Sequence, residues 1–349
     1  MKLTLYHWVA IIALLLAVVG THFAGNIWYP AIYLAIPVTA FCVTALFLDK
    51  LIPRLESIGM TGKDENKPGT PEVAEMGGIA IVAGFSAAVL LVISLYAALP
   101  QFNLVLLLAA IITIHTIGFI GIADDLFNLP QWFKALLPLA AAIPLVVVNA
   151  AGSTAITIPF LGPVEFGIVY TVLLIPLAIA VCSNLTNMLA GFNGLEGGMG
   201  AVMFATLSVL ALAQGRTEMF VLSISMLGAL LGFLLFNRFP AKVFPGDVGT
   251  FSIGVALATA VIIGNLESAG VILMMPYIAD FFIKAKNRFP HTHQEMKGNK
   301  LYPKDGKVKG LVHLVMKAFG GITEKGLVTF FIAVELVLAI IAMILFLRI

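Results

Sequence analysis

Two adjacent carboxylates stand at the end of an apolar run, and their position favours a cation site. Asp124 and Asp125 follow the stretch Gly118-Phe-Ile-Gly-Ile-Ala123. Acidic side chains at a membrane boundary are costly unless a cation pairs with them, and magnesium is typically held by one or two carboxylates together with phosphate oxygens. The alternative is that both side chains are solvated at a helix end. Lys134 either joins these carboxylates and a substrate phosphate, or extends its ammonium group to the membrane interface.

A stretch rich in amides and glycine forms the second cluster. It reads Asn184-Leu-Thr-Asn187-Met-Leu-Ala-Gly191-Phe-Asn193-Gly-Leu-Glu196 and lies between two apolar runs. Asn184 and Asn187 are three residues apart and share a helix face, while Gly191 suits a turn whose backbone approaches a ligand closely. Because so polar a stretch has no packing explanation between apolar segments, it predicts a binding surface inside a helix bundle.

A third cluster, Val243-Phe-Pro-Gly-Asp247, opens another apolar run. Asp247 either caps the N-terminus of the following helix or completes a magnesium site with Asp124, Asp125 and an asparagine oxygen. Phe244 either stacks on a nucleobase or is an ordinary interfacial aromatic residue.

Two further loops carry polar groups. His291 and His293 stand in a basic loop, and their alternate spacing without cysteines does not match a zinc site. We therefore expect them to donate hydrogen bonds to diphosphate oxygens. The segment 62–76 contributes Asn66, Lys67 and Glu75, none of which is specific by itself.

Long apolar runs separate these clusters and must position them. Of the 349 residues, 60% are hydrophobic and 11% are charged, against roughly 25% charged in a soluble domain. A bilayer core needs roughly 20 apolar residues per helix, and runs without alternation exclude barrel strands. We therefore predict an all-α polytopic membrane protein with about eleven transmembrane helices. The predicted spans are 5–24, 28–48, 76–98, 103–122, 131–150, 167–186, 197–213, 219–236, 248–264, 269–283 and 326–347.

The distribution of basic residues orients this bundle. The net charge of +2 does not identify a partner, and no nucleic-acid partner is expected. Of the 20 Lys and Arg residues, 18 fall on one side of the predicted membrane, and only Arg216 and Arg348 fall on the other. The positive-inside rule makes the first side cytoplasmic, and the polar clusters lie there. Cys42 and Cys182 fall within spans, so neither a disulfide framework nor a zinc site is expected.

No composition break marks a separate soluble domain, so residues 1–349 are interpreted as a single membrane domain. The run 5–24 predicts a retained helix rather than a cleaved signal peptide, because it lacks a clear small-residue cleavage site. Residues 284–325 form a long cytoplasmic loop, in which 308–319 has the spacing of a basic amphipathic helix. On the other side, residues 154–159 predict a short β-hairpin.

Taken in order, these clusters resemble the polyprenyl-phosphate N-acetylhexosamine-1-phosphate transferases, a superfamily that includes the bacterial phospho-MurNAc-pentapeptide translocases. The likeness is strongest to the eukaryotic and archaeal enzymes that transfer N-acetylglucosamine 1-phosphate from UDP-GlcNAc to dolichyl phosphate. It runs from about Gly62 to the last predicted span. Its motifs are Lys63-Asp-Glu-Asn-Lys67, Glu75-Met-Gly-Gly78, Gly121-Ile-Ala-Asp-Asp-Leu-Phe-Asn-Leu129, Lys134-Ala-Leu-Leu-Pro138, Asn187-Met-Leu-Ala-Gly-Phe-Asn-Gly-Leu-Glu196 and Val243-Phe-Pro-Gly-Asp247.

The resemblance implies a ten-helix core, usually dimeric, with a cytoplasmic active site that uses magnesium, or manganese as an alternative. The matched metal ligands are Asn187 and Asp247. The positions assigned to catalysis are Asp124, Asp125, Lys134, His291 and His293. The positions assigned to substrate binding are Asn66, Lys67, Glu75, Asn184, Gly191, Asn193, Glu196 and Phe244.

This sequence departs from the family pattern in two places. The eukaryotic enzymes have an arginine-histidine-arginine run where this chain has His291-Thr-His293, so sugar and diphosphate contacts there are expected to differ. The helix predicted over 5–24 is additional to the ten-helix core and would place the N-terminus inside, consistent with Lys2.

The expected reaction joins UDP-GlcNAc to a polyprenyl phosphate, giving GlcNAc-diphospho-polyprenol and UMP, the first step of lipid-linked glycan assembly. Either Asp124 or Asp125 would deprotonate or orient the lipid phosphate, and the lipid tail would lie in a groove between helices. One alternative is a bacterial-type enzyme that uses undecaprenyl phosphate or another UDP-sugar. A transporter would instead place ionisable residues near the bilayer midplane, and the location of these motifs at helix ends disfavours it.

Overall fold

Uncharged runs form the helices of this protein, because backbone groups in apolar surroundings must satisfy one another. The computed structural model describes residues 29–95, 102–290 and 292–347. The first helices are α1 (Tyr29–Ser57), α2 (Gly78–Ser94), α3 (Leu104–Phe127), α4 (Gln131–Ala141), α5 (Ile143–Val147) and α6 (Ile175–Met188), the last preceded by a π-helical turn over Tyr170–Leu174. The remaining helices are α7 (Leu195–Ala213), α8 (Thr217–Asn237), α9 (Gly246–Ile263), α10 (Glu267–Leu273), α11 (Met275–Lys286), α12 (Leu311–Ala318) and α13 (Glu324–Phe346).

The bundle has the polytopic character that the sequence predicts. Within the described ranges, seven helices are long and apolar enough to cross a membrane: α1, α3, the π-turn with α6, α7, α8, α9 and α13. The pair α10 and α11 is bent by 62° and gives an eighth span if it is counted as one. The apolar helices α2 and the α4–α5 pair are shorter. The predicted helix 5–24 lies outside the described residues, and the total of eleven spans stays a prediction.

In the part of the chain that the structure describes, three antiparallel hairpins accompany the helices, so the all-α prediction with a single hairpin omits two of them. They are formed by β1 (Thr61–Lys63) with β2 (Glu72–Ala74), β3 (Ala155–Ile158) with β4 (Gly162–Glu165), and β5 (Gln294–Lys297) with β6 (Lys300–Pro303). The β3–β4 pair confirms that a hairpin forms here, but the predicted range 154–159 holds only its first strand, and the second strand, β4, lies beyond it. The predicted amphipathic helix 308–319 is observed as α12, whose apolar residues Val312, Val315 and Met316 are buried.

Helix α9 lies at the centre of the bundle and fixes the positions of its neighbours. Every residue from Val248 to Ile263 is buried, and α9 packs against α2, α3, α6 and α8. Glycines permit this close packing at the end of α9 that carries Asp247. A Cβ atom added at Gly78 would lie 2.2 Å from Gly249 Cα, and one added at Gly121 would lie 2.5 Å from Val248 Cα. The starts of α2 and α9 and the last turns of α3 therefore meet at one end of the bundle.

Cys42 and Cys182 are both free, as expected for residues that pack within spans.

The end of the bundle that carries Asp247 also receives the last residues of α6, α8 and α11 and the first residues of α4, α7 and α13, because successive long helices run in alternating directions. This arrangement brings the polar clusters of the sequence together.

Candidate active site

Backbone hydrogen bonds join the segment before α2 to the segment before α9. Phe244 N–H donates to Ala74 C=O, Gly77 N–H to Phe244 C=O, and Gly78 N–H to Pro245 C=O, each at 2.8 Å. Ala74 and Val243 form a parallel bridge in the same place. These contacts place Glu75, Phe244 and Asp247 around one space, although Glu75 and Asp247 are far apart in sequence.

Asp125 organises the start of α9. Its Oδ1 accepts the N–H of Asp247 at 2.8 Å, and its Oδ2 accepts the N–H of Val248 at 3.1 Å. The first N–H groups of a helix lack intrahelical partners and carry partial positive charge, so the carboxylate satisfies two of them. Gly246, with φ of +66°, permits this approach, because a Cβ there would lie 2.7 Å from Asp125 Oδ2. Both oxygens of Asp125 are thus engaged with α9.

Asp124 and Lys134 form a buried ion pair beside Asp247. The Lys134 ammonium contacts Asp124 and lies 3.5 Å from Asp247 Oδ2, and only 13% of the lysine side chain is exposed. Asp124 Oδ1 also accepts the N–H of Leu129 at 2.8 Å, which fixes the carboxylate within the α3–α4 connection. Lys134 therefore pairs with the aspartates rather than extending to the interface.

A cavity of about 330 Å³ opens beside these residues. Of the residues assigned from the sequence, it is lined by Asn66, Glu75, Asn187, Gly191, Glu196, Phe244 and Asp247. Asp124, Asp125, Lys67, Lys134, Asn184, Asn193 and His293 are not among its lining residues. The sequence motifs thus supply both the walls of one cavity and the residues directly behind those walls.

The cavity wall carries several oxygen donors, and Asn187 and Asp247, the two that the family resemblance assigns to the metal, are among them. Magnesium is usually bound through one or two protein oxygens plus substrate phosphates, so an amide oxygen and a carboxylate facing one cavity fit that ion. Within the described part of the chain there is no cluster of three or more His, Cys, Asp or Glu residues that could hold a metal by itself. The donor set fits a metal that is held jointly with a phosphorylated substrate.

The loop at Gly191 is held from both sides. Glu196 Oε1 accepts the Gly191 N–H at 2.6 Å, and Asn66 Nδ2 donates to the Gly191 C=O at 2.9 Å. Gly191 has φ of +106°, and a Cβ there would meet nothing within 4 Å. The left-handed backbone, rather than lack of space, therefore requires glycine, and the wall beside Gly191 is open to a ligand.

Lys67 and Asn193 belong to a buried network behind the cavity wall. The Lys67 ammonium contacts Asp64 and lies 3.3 Å from Glu324 Oε2. Asn193 donates its N–H to Glu324 at 2.8 Å and its side-chain amide to Asp64 at 3.1 Å. Its Oδ1 accepts the N–H of Ala241 at 2.7 Å. The network ties four loops and helix ends together around the Gly191 turn.

Sequence reasoning missed Asp64 and Glu324 as members of this network. Asp64 had a weak local signal, because it lies three residues before Lys67. Glu324 is 257 residues from Lys67, and no sequence pattern links the two. Both carboxylates are buried.

Asn184 supports the site from the side. Its Nδ2 donates to Ala180 C=O at 2.8 Å and to Lys134 C=O at 3.4 Å, so it links α6 to the helix that carries Lys134. His293 lies at the rim, where 55% of its side chain is exposed and Nδ1 is 3.8 Å from Glu65. The same loop contributes Thr292 and Gln294 to the cavity wall. His291 lies outside the described residues.

Burial raises the pKa of the Glu75 carboxyl group, and the charge of Asp125 raises it further. Glu75 also covers the backbone of Gly62, since a Cβ at that glycine would lie 2.0 Å from Glu75 Oε1. Glu75 therefore presents a less readily ionised carboxyl group to the cavity than an exposed glutamate would.

A second cavity, of about 290 Å³, is an apolar groove between α6, α9 and the bent α10–α11 pair. Leu177, Val181 and Val271 line it and are themselves 45%, 41% and 55% exposed, so the groove opens sideways at the surface of the bundle. At its far end the Tyr170 hydroxyl donates to Glu267. Helices α6 and α9 line both cavities, with Asn187 and Thr250 in the polar cavity and Leu185 and Leu257 in the groove.

Comparison with known proteins shows the family that this sequence matches. Residues 104–265 match the model of glycosyl transferase family 4. The chain is 37% identical over 315 residues to a protein of Sulfolobus acidocaldarius, covering 88% of this chain and 94% of that protein, which is provisionally named UDP-N-acetylglucosamine–dolichyl-phosphate N-acetylglucosaminephosphotransferase. A protein of Saccharolobus solfataricus with the same provisional name is 38% identical over 296 residues, with 81% of this chain and 87% of that protein covered. A phospho-N-acetylmuramoyl-pentapeptide-transferase of a Geobacillus species is 32% identical over 255 residues, with 68% of this chain and 76% of the relative covered.

Proposed function

Because this chain belongs to glycosyl transferase family 4, we propose that it transfers N-acetylglucosamine 1-phosphate from UDP-GlcNAc to a dolichyl-type polyprenyl phosphate. The products are GlcNAc-diphospho-polyprenol and UMP. The observation that supports this proposal is that the same two helices, α6 and α9, line both the polar cavity and the apolar groove. A polar cavity suits the nucleotide and both phosphates, and an apolar groove on the same two helices suits the tail of the acceptor lipid.

In this reaction an oxygen of the lipid phosphate attacks the sugar-bearing phosphorus of UDP-GlcNAc. A new P–O bond forms, the bond from that phosphorus to the bridging oxygen breaks, and UMP leaves with the bridging oxygen. Both reactants are anions, so catalysis rests mainly on positioning and charge neutralisation. Lys134 supplies a fixed positive charge beside Asp247, and Asp124 holds its ammonium group there.

The lipid phosphate needs no strong base, because the second pKa of a phosphate monoester is about 6. This favours an orienting role over a deprotonating role for the acidic pair. Asp124 orients Lys134, and Asp125 orients α9 and with it Asp247. Both aspartates thus act through the groups that they hold.

Magnesium would be held by Asn187 and Asp247, with manganese as an alternative. When bound, it supplies charge neutralisation to the diphosphate. The uridine is assigned to the wall formed by Gly191, Phe244 and Glu75, since these residues line the same cavity as the two metal-binding positions. His293 is assigned to the rim, where it can meet an incoming phosphate.

The finer features of the architecture form part of this proposal. We assign eleven membrane spans, a site that faces the cytoplasm, a location in the cell membrane and a homodimeric assembly. The charge asymmetry of the loops supports the orientation, since 18 of the 20 basic residues fall on the side of the site. The eleven-span count rests on the predicted helix 5–24 together with the ten apolar segments that follow it.

The test is a membrane assay with labelled UDP-GlcNAc and dolichyl phosphate, with and without magnesium. We expect product that requires the metal, and a loss of about 100-fold or more in Asp247→Ala, the range seen when one charge-stabilising group is removed. Asp305→Ala is the matched control, because Asp305 is an exposed carboxylate outside the cavity.

If Asp247→Ala formed as much product as the parent protein, the role assigned to Asp247 in catalysis would be contradicted. Parallel reactions with undecaprenyl phosphate and UDP-MurNAc-pentapeptide distinguish the bacterial-type alternative. No product from any UDP-sugar and lipid phosphate would contradict the proposed function.

A further inference from the structure

A buried ion pair on α11 lies outside the lining of both cavities. Asp280 and Lys284, one helical turn apart, are joined at 2.8 Å, and their side chains are 0% and 11% exposed. Neither residue lines the polar cavity or the apolar groove. A buried ion pair is weak evidence for stability by itself, so the contacts that it makes with other segments indicate what it does.

The lysine reaches the end of α6. Its Nζ donates to the C=O of Met188, the last residue of α6 and the neighbour of Asn187. The last carbonyl groups of a helix have no intrahelical donors and carry partial negative charge. The ammonium group satisfies one of them and so fixes the turn that carries Asn187.

The aspartate reaches the cytoplasmic loop. Asp280 Oδ1 accepts the N–H of Leu311, the first residue of α12, at 2.7 Å. Gly310 lets the loop approach this closely, because a Cβ there would lie 2.9 Å from Asp280 Oδ1 and 3.2 Å from Lys284 Cε. The same added atom would lie 3.2 Å from Thr292 Cγ2, and Thr292 lines the polar cavity.

We infer that Asp280 and Lys284 are positioning residues that set Asn187 and the loop segment around Thr292 relative to Asp247. This inference rests on the proposed function, in which Asn187 and Asp247 hold the metal together. Without the ammonium group the last turn of α6 loses its anchor, and the two metal-binding oxygens no longer keep a fixed separation. Metal affinity then falls, although neither residue touches the metal or a substrate.

The first measurement needs no catalysis. The double variant Asp280→Asn/Lys284→Met removes the pair without leaving one buried charge alone. Hydrogen–deuterium exchange of the detergent-purified protein should then become faster in residues 185–191 at the end of α6. Gln214→Leu is the matched control, because Gln214 also donates to a carbonyl at a helix end, that of Phe346 at 2.8 Å, at the opposite end of the bundle.

The second measurement is manganese binding by electron paramagnetic resonance in the presence of UMP. Loss of groups that orient metal ligands typically weakens metal binding 10- to 100-fold, and we expect about tenfold for the double variant. Lys284→Arg should recover part of the affinity. Lys286→Met, an exposed lysine on the same helix, and Gln214→Leu should stay within about twofold of the parent, the scatter expected of residues without that role.

The two proposals fail in different ways. Unchanged exchange over residues 185–191 and unchanged manganese affinity in a folded double variant would overturn the positioning role. A parent protein that binds no manganese and forms no product would overturn the proposed function, while the exchange data would still test the anchoring of α6. If the double variant does not fold, Gly310→Ala displaces the pair without removing its charges, and the same two measurements apply.

Discussion

The polar cavity and the apolar groove are similar in volume and share two helices, yet they are built in different ways. The groove is lined by apolar side chains, which offer a ligand no hydrogen bonds. The polar exceptions in its lining are Tyr170 and Glu267 at the far end, which hydrogen-bond to each other. In the cavity, Gly191 and Asp247 are each held by hydrogen bonds from other segments. A ligand in the groove would therefore be recognised mainly by its shape, whereas a ligand in the cavity would be recognised by the positions of its charges and donors.

This difference predicts unequal sensitivity to substitution. A group held at a fixed distance from a developing charge contributes strongly in a site that excludes water. An apolar wall tolerates changes that keep its volume. Single substitutions in the cavity wall, or in the residues directly behind it, should therefore affect turnover most, and substitutions in the groove should affect acceptor binding.

The largest effect is expected from Lys134→Met. It removes the cation between Asp124 and Asp247 and leaves two close carboxylates without it, so kcat/KM should fall by about 100-fold or more. The membrane assay with labelled UDP-GlcNAc measures this. Lys242→Met, an exposed lysine at the same end of the bundle, should change activity less than about threefold. Equal effects of the two substitutions would contradict the role assigned to Lys134 beside Asp247.

A groove substitution should have a smaller and more selective effect. Ala178→Trp fills the groove, so the KM for dolichyl phosphate should rise by about tenfold, the scale of a lost or blocked apolar contact. The KM for UDP-GlcNAc should stay unchanged. Leu173→Trp is the control, because Leu173 is exposed on the same span but does not line the groove. A rise in the KM of the nucleotide alone would reverse the assignment of the two cavities.

Substitutions of Asp125 test whether this carboxylate acts by positioning α9 or by taking part in the reaction. Asp125→Ala should lower the free energy of unfolding by about 1 kcal/mol, as for other lost helix caps, and reduce activity in parallel. Asp125→Asn keeps one acceptor oxygen and should lose less of both. Thermal melting in detergent, combined with the activity assay, separates the two roles. A large loss of activity in Asp125→Asn at an unchanged melting temperature would instead make Asp125 a catalytic group.

The smallest effect concerns pH. The pKa of Glu75 is raised above its ordinary value of 4.5 in the folded protein, so the folded state binds more protons than the unfolded state above that pH. The contribution of Glu75 to the free energy of unfolding therefore falls as pH rises from about 4.5 to the folded pKa, and then levels off. Glu75→Gln removes this dependence and should melt at a higher temperature than the parent at neutral pH. Melting curves between pH 4 and pH 8 check this, and parallel curves for both proteins would contradict it.

The sequence predicted the elements of this molecule better than their ends. Apolar runs identify the spans because a bilayer demands them, but a helix need not stop at the membrane boundary. The span predicted to end at residue 48 continues as α1 to Ser57, with Arg54 and Glu56 exposed on its last turns. The β1–β2 and β5–β6 hairpins were not predicted, because their short strands lack a run of β-branched residues such as Ile156-Thr-Ile158 in β3.

The candidate site could be predicted where its residues lie within compact motifs. Asn187, Gly191, Phe244 and Asp247 all lie on the cavity wall. The residues that hold them could not be predicted in the same way, because they act across long separations. Asp280 contacts Leu311, and Lys284 contacts Met188, 96 residues away. In a single sequence, Asp280 and Lys284 look like ordinary charged residues at the end of an apolar run, and nothing in it indicates their distant partners.

In the proposed function the apolar groove holds the acceptor tail, and this groove opens sideways beside the 62° bend between α10 and α11. The acceptor concentration that governs the rate would then be its mole fraction among the membrane lipids. A lipid that enters from within the bilayer is encountered by two-dimensional diffusion, so its abundance among the surrounding lipids governs saturation. Adding buffer to a suspension of vesicles would leave that abundance, and hence the rate at saturating UDP-GlcNAc, unchanged. Adding inert phospholipid to the same vesicles would slow the reaction.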